Sequence, residues 1–347
     1  MKRNIKVIIA IAISILMITA LFAACSTKVQ QAQANQTTQV QTTQARITET
    51  GKASETEKTA PAFPLKVTDA GGTEMTIEKE PARIISLTLG SDEMLMGLVD
   101  KSRIKALCIY AEDAGISNIA EEAKAIPERA TMKSIEKIIE MQPDLVFTDT
   151  WTKPEEIQQL RDAKITVYVF ATPNNYDGQK KVIIELAHVV GADEKGTELT
   201  AWMDEKLKAI EEKLKSIKPE DKLRVMDYGE MGSSGKNTNF DDIVTRAGLV
   251  NVVAEAGIEG WPMLSKEKIV EMNPDIIVLP SWYYDSKNSL QGMKDTLKAD
   301  ASLATVNAIK NDRLISVPNP HLSAISQYVV LGIEDIAAAA YPEMFKK

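Results

Sequence analysis

Cysteine and histidine are scarce here: Cys25 and Cys108, His188 and His321 are the only ones in 347 residues. Two histidines cannot build the His and carboxylate clusters that hold a bare transition-metal ion, so direct metal coordination is not expected. Cys108 lies in the apolar, strand-like run "IKALCIY" and reads as a small buried hydrophobe, not a nucleophile. Basic charge is short as well. A net charge of −8, with no basic cluster outside the extreme N-terminus, argues against a nucleic-acid partner. No G-x-S-x-G elbow occurs, so a serine-hydrolase reading lacks its usual mark. The glycine-rich stretch "GEMGSSGKN" (229–237) carries Glu230 and Asn237 where a phosphate loop needs Gly and Ser or Thr. It reads as a loop at a cleft edge. Aromatic residues make up only 5% of the chain, which gives weight to where they fall.

The N-terminus begins with Lys2, Arg3 and Lys6, followed by the apolar run "VIIAIAISILMITALFAA" and Cys25. Basic residues, an apolar run and small residues before a Cys resemble a lipoprotein signal, with Phe22 a departure from the usual leucine. Residues 1–25 are therefore expected to be a signal peptide with Cys25 the lipidated residue; the alternative is an uncleaved membrane anchor. Either places the remainder outside the cytoplasm. A lipidated Cys25 cannot pair with Cys108, so no disulfide is expected. Residues 26–62, rich in Gln, Thr, Ser and Ala, bury too little apolar surface to offset their ordering entropy and read as a tether.

From Phe63 the pattern changes. "LKVTDAGGTEMTI" is a β-hairpin with a glycine turn, followed by "RIISLTLGSDEMLMGLV", read as a strand, a turn at Gly90 and a helix with Ser91 as N-cap. "RIKALCIY", "PDLVFTD" and "ITVYVFAT" are further strands alternating with helical patterns, which indicates a mostly parallel sheet covered on both faces. Residues 176 to about 218 are helical throughout, with Leu199, Met203, Leu207, Ile210, Leu214 and Ile217 in one stripe. A second strand and helix series follows. It contains "SKEKIVEMNPDIIV" (265–278), a near copy of "SIEKIIEMQPDLVF" (134–147). That separation is far longer than the roughly 20–50 residues of a solenoid repeat. Two similar lobes explain it better. The fold class expected is α/β: two Rossmann-like lobes with mostly parallel sheets joined by a single long helix. The boundaries are 63–175 for the first lobe, 176–220 for the connecting helices and 221–347 for the second.

With the hairpin, "EPARIISL", the long helix, "WPMLSKEKI", and a Glu at one fixed distance before Pro-Asp in both halves, the chain resembles the solute-binding proteins of ABC importers for iron–siderophores, haem and vitamin B12. The resemblance covers everything except signal and tether. It implies a monomeric, extracytoplasmic protein, lipid-anchored at Cys25, without cofactor or catalysis. It would hand a bulky metal chelate to a two-fold ABC permease. It also implies one docking carboxylate per lobe, Glu136 and Glu267. Ser134 and Ser265 are good N-caps, which puts both Glu residues in a first helical turn. There a carboxylate also complements the helix dipole, with no partner required.

In open α/β sheets ligands bind beyond the carboxyl ends of strands. Candidates there are Tyr110, Trp151, Tyr228, Trp282 and Tyr283, with Trp261 before the second repeated helix and His321 after the last strand. Arg129, ahead of the first repeated helix, is a candidate for pairing an anionic group. Planar side chains suit a bulky, partly apolar chelate or macrocycle. Few basic residues lie at strand ends, which disfavours strongly anionic catecholates and leaves hydroxamate siderophores, corrinoids and haem. Iron–siderophore is placed first, and haem ligation by His321 or Tyr228 stays open. The rivals are a hydrolase of siderophore esters with His321 as base, and a surface-sensing lipoprotein without a transporter.

Overall fold

The hairpin forms where the glycines allow it. In the computed structural model, which describes residues 63–283 and 289–346, β1 (Leu65–Thr68) and β2 (Glu74–Ile77) pair antiparallel in the register Leu65↔Ile77. Asp69 closes their turn by accepting the Thr73 N–H at 2.8 Å. Gly72 there takes φ +79°, a left-handed conformation that a side chain disfavours. Cys25 and the tether lie outside the described residues.

The first sheet contains β3 (Ile84–Ser86), β4 (Ile104–Cys108), β5 (Arg129–Ala130), β6 (Leu145–Asp149) and β7 (Val167–Phe170). Its order is β5-β4-β3-β6-β7, with every pairing parallel. Nearly all of its residues are buried, as a parallel sheet with two covered faces requires. Alternation sorts them: Ile84, Leu107, Leu145 and Phe147 join one apolar cluster, while Ile85, Ala106 and Val146 join another. The helices of this half are α1 (Leu89–Leu98), α2 (Ile135–Glu140) and α3 (Pro154–Asp162). α1 starts before the expected Ser91. Its N-cap is Thr88, which accepts the Ser91 N–H at 3.2 Å. Gly90 is therefore helical, not a turn; a Cβ there would lie 2.9 Å from the Ile325 side chain and carbonyl, so its smallness lets the second half approach.

The stretch expected to be helical throughout is two helices, α4 (Tyr176–Val189) and α5 (Asp193–Leu214), broken at Gly191 with φ +75°. α5 runs 22 residues, or about 33 Å. Met203, Leu207, Ile210 and Leu214 are its buried face. Gly196 lets α4 and α5 touch, since a Cβ there would sit 2.5 Å from that of Ala187.

The second sheet contains β8 (Arg224–Asp227), β9 (Val250–Asn251), β10 (Ile276–Val278) and β11 (Leu314–Ile315), in the order β11-β10-β8-β9 and again all parallel. Around it lie α6 (Asn239–Arg246), α7 (Lys266–Met272), α8 (Leu290–Ala299) and α9 (Val329–Ala340). Val225, Ile276 and Val278 point into the same large cluster as Leu145 and Phe147. Met226 and Ile277 face a separate one. The shared cluster runs through Met203 and Leu207 of α5 and Val330, Ile333 and Ile336 of α9, so the two halves are fused along one side.

The duplicated segment now has a physical account. β6 lies beside β3 as β10 lies beside β8, so both copies occupy the same place in their sheets. In each copy the residue before Pro-Asp takes a left-handed conformation, Gln142 at φ 48° and Asn273 at φ 44°. The following Asp accepts a strand N–H: Asp144 from Arg83 at 2.9 Å, Asp275 from Arg224 at 3.0 Å. The same arginines reach back to the last helical carbonyls, Met141 and Met272. Pro-Asp with its arginine is a clamp that fastens helix end to strand start, built twice.

Candidate functional site

β8 ends on Asp227, whose two carboxylate oxygens accept the Ser234 N–H and the Ser234 hydroxyl, each at 2.6 Å. This folds the 228–234 loop back over the strand end. Gly232 is obligatory in that loop: it takes φ +98°, and a Cβ would sit 2.6 Å from the Pro262 carbonyl. Between this loop, the Trp261 segment and the residues after β10 lies a cavity of about 500 Å³. Tyr228, Trp261, Trp282 and Tyr283 line it, over an apolar floor that includes Phe240, Leu279 and Ile325. Burial pushes the Asp227 carboxyl above its ordinary range, against the opposing effect of the Ser234 donors.

All described lining residues of this cavity come from the second half. The first half reaches it by two contacts. Trp151, in the loop after β6, stands edge-on to Trp261 with ring centroids 6.3 Å apart and planes at 70°. Trp151 is held there by Asp149, which accepts its N–H at 3.1 Å, yet the residue remains 72% exposed. The second contact is Trp282 against Gly115, where an added Cβ would lie 2.0 Å from the indole Cδ1. Gly115→Ala is therefore expected to expel the indole from its seat, an overpacking strain of about 1–3 kcal/mol. A changed tryptophan emission spectrum would report it; an unchanged spectrum and unchanged stability would count against the contact.

Three expected site residues are elsewhere. Tyr110 is half exposed in the turn after β4 and does not line the cavity. Arg129 is not an open cation: its guanidinium donates to Glu112 and to the carbonyls of Ala123, Ile126 and Glu128, which fixes it within its own half. His321, in the short helix Asn319–Leu322, pairs through Nδ1 with Asp335 of α9 at 2.6 Å and stays outside the lining. Its neighbours Asn319, Leu322 and Ser323 do line the cavity, and the pairing engages Nδ1 only.

The two carboxylates of the duplicated helices are both exposed in first turns. Ser265 caps as expected, accepting the Lys268 N–H at 3.2 Å. Ser134 does not; a 3-10 turn, Met132–Ser134, precedes α2 and is capped by Thr131 instead. The backbone N–H of Glu267 and the Ser265 hydroxyl hold the Glu267 carboxyl below its usual range. Because each of these helices returns directly into the start of a strand, its N-terminus sits level with the strand carboxyl ends, the end that carries the cavity.

Residues that sequence reasoning passed over include Asp227 and the exposed Met231, both in the cavity lining, and the exposed Met263 two residues after Trp261. Asp227 was marked only by being the last residue of its strand. The methionines follow no periodic pattern.

A family model described as periplasmic binding protein matches residues 84–320. An uncharacterized ABC transporter substrate-binding lipoprotein of Bacillus subtilis is 28% identical over 307 residues, covering 85% of this chain and 91% of its own. A cobalamin-binding protein of Halobacterium salinarum is 22% identical over 274 residues, covering 78% and 72%. Among solved structures, the molybdate periplasmic binding protein of Haemophilus influenzae superposes with a TM-score of 0.67 at 20% identity, covering 81% of this chain and 92% of that one.

Proposed function

We propose, given that this chain belongs to the periplasmic binding protein family and serves as the substrate-binding component of an ABC importer, that its cargo is a bulky metal chelate held in the aromatic cavity. The ring set carries this reading. Tyr228, Trp261, Trp282 and Tyr283 surround one cavity, and Trp151 from the other half meets Trp261 at its mouth. Such rings give large apolar contact at little entropy cost, which suits a chelate that brings its own metal ligands. Among the described residues no group of three or more His, Cys, Asp or Glu is placed to hold a metal ion, so the cargo's own donors would satisfy the metal.

An iron–siderophore, a corrinoid or haem all meet this description, with the siderophore placed first. Delivery would use Glu136 and Glu267 as docking carboxylates for arginines of a two-fold permease. Their position level with the cavity supports that reading, since cargo would then face the membrane entrance. Lipidation at Cys25 and an extracytoplasmic location complete the proposal. The hydrolase alternative finds no support, because the matching family model and the relatives are those of binding proteins.

Quenching of tryptophan emission by ferric siderophores, cyanocobalamin and haemin tests the proposal on the purified protein. Saturable quenching by at least one chelate is expected, and silence from all of them would refute chelate capture. Uptake of the bound chelate should fall when the gene is deleted. Unchanged uptake would favour the surface-sensing role instead.

A further inference from the structure

Resting on the chelate-capture reading above, we infer that the cavity selects a neutral or cationic chelate whose rim carries amide-type groups and discriminates against polyanionic ones. Charge supplies the first argument. Among the described lining residues the only charged side chains are Asp227 and Glu230, both acidic. In the first half, the segment that meets Trp282 at Gly115 carries Asp113 and no basic residue. Arg129, the cation nearest in sequence to a docking role for anions, is already bound by Glu112 and three carbonyls. Recognition of a carboxylate or catecholate relies on arginine or lysine forks. With no cation among the described lining residues, a polyanion entering this cavity would give up water with no charged donor to replace it.

The second argument is an orphan. The Tyr283 hydroxyl is buried in the cavity wall without a hydrogen-bond partner among the described residues. Burial, with Glu230 adding to it, raises the phenol above its ordinary range, so it keeps its proton and acts as a donor instead of a phenolate ligand. A buried donor left unmade costs stability, and a cargo oxygen is the group that would relieve it. An amide carbonyl provides that acceptor in an uncharged group, so an amide-bearing rim meets the Tyr283 donor without bringing charge into the cavity. The faces of Tyr228, Trp261 and Trp282 then cover the apolar remainder.

Four probes titrated against the full chain by tryptophan quenching test this. They are cyanocobalamin, neutral and amide-rimmed; a ferric trihydroxamate with a free ammonium group; a ferric tricatecholate; and haemin, a dicarboxylate. At least one of the first two should bind, and the last two should be weaker by about tenfold or more. Tyr283→Phe should weaken the amide-rimmed or hydroxamate probe about fivefold, yet raise the melting temperature of the cargo-free protein by about 2 °C, because the orphan donor is gone. A tricatecholate or haemin that binds as tightly as the other probes would overturn the charge rule and leave chelate capture standing. Unchanged affinity in Tyr283→Phe would remove the donor from the argument. Absence of binding by all four would take chelate capture down with the rule built on it.

Discussion

Replacing Glu136 and Glu267 together by alanine is expected to reduce cargo uptake in cells to background, while the purified protein binds its cargo with unchanged affinity. The separation follows from geometry. Both carboxylates are exposed on first turns of α2 and α7 and are absent from the cavity lining. Neither has an ion pair among the described residues, and Glu267 gives up only exposed bonds at its own helix start, so the fold should survive their removal. Each single replacement should give partial uptake, because one carboxylate remains to engage the permease. Weakened cargo binding in the double variant would show that these residues serve the cavity, and wild-type uptake would show that they serve neither role.

Stability should fall as pH rises from about 4 to 7, and Asp92→Asn should make that slope shallower. Asp92 sits fully buried in the first turn of α1, where its carboxylate accepts the Cys108 N–H at 3.0 and 3.2 Å. Burial raises its pKa to about 7, despite those bonds. In the unfolded chain the group titrates near the ordinary carboxylate value, about 3.9. Between the two values the folded state binds the extra proton, so stability is greatest below the lower one and is lost as pH climbs through the upper one. The size is on the order of 4 kcal/mol across the window. Glu93, Asp149 and Asp227 are shifted upward by burial as well and act in the same direction. Asparagine keeps an acceptor for Cys108 without a proton to lose, so the variant should outlast the wild type at pH 8. Urea melts of both proteins from pH 5 to 8 check this. A wild type whose stability is flat or rises over that range would refute it.

Much of this architecture was legible because it is periodic. Burial of alternate residues wrote the parallel strands, and the copied Pro-Asp segments disclosed two equivalent halves. Tyr228, Trp282 and Tyr283 could be chosen because strand carboxyl ends are known positions once strands are placed, and Trp261 because it precedes the second repeated helix. What escaped was tertiary. His321 pairs with Asp335, which lies on a separate helix. Arg129 finds its acceptors in the preceding loop, a chain path that no spacing encodes. Ser134 loses the cap to Thr131 because an extra 3-10 turn enters before α2, whereas Ser265, in the sister segment, keeps it. Even a close internal copy therefore does not guarantee the same local bonds.

The apolar cluster that threads α5 and α9 governs how the polypeptide can be divided. Met203 and Leu207 are shared property: they abut residues from both sheets in one continuous interior. Either half produced as a fragment would present that seam to water and should aggregate or stay unfolded, and co-expression of the two pieces should restore a soluble complex. Genetic novelty is thereby channelled to the strand-end loops, since swapping whole lobes between paralogues would require recutting the seam as well.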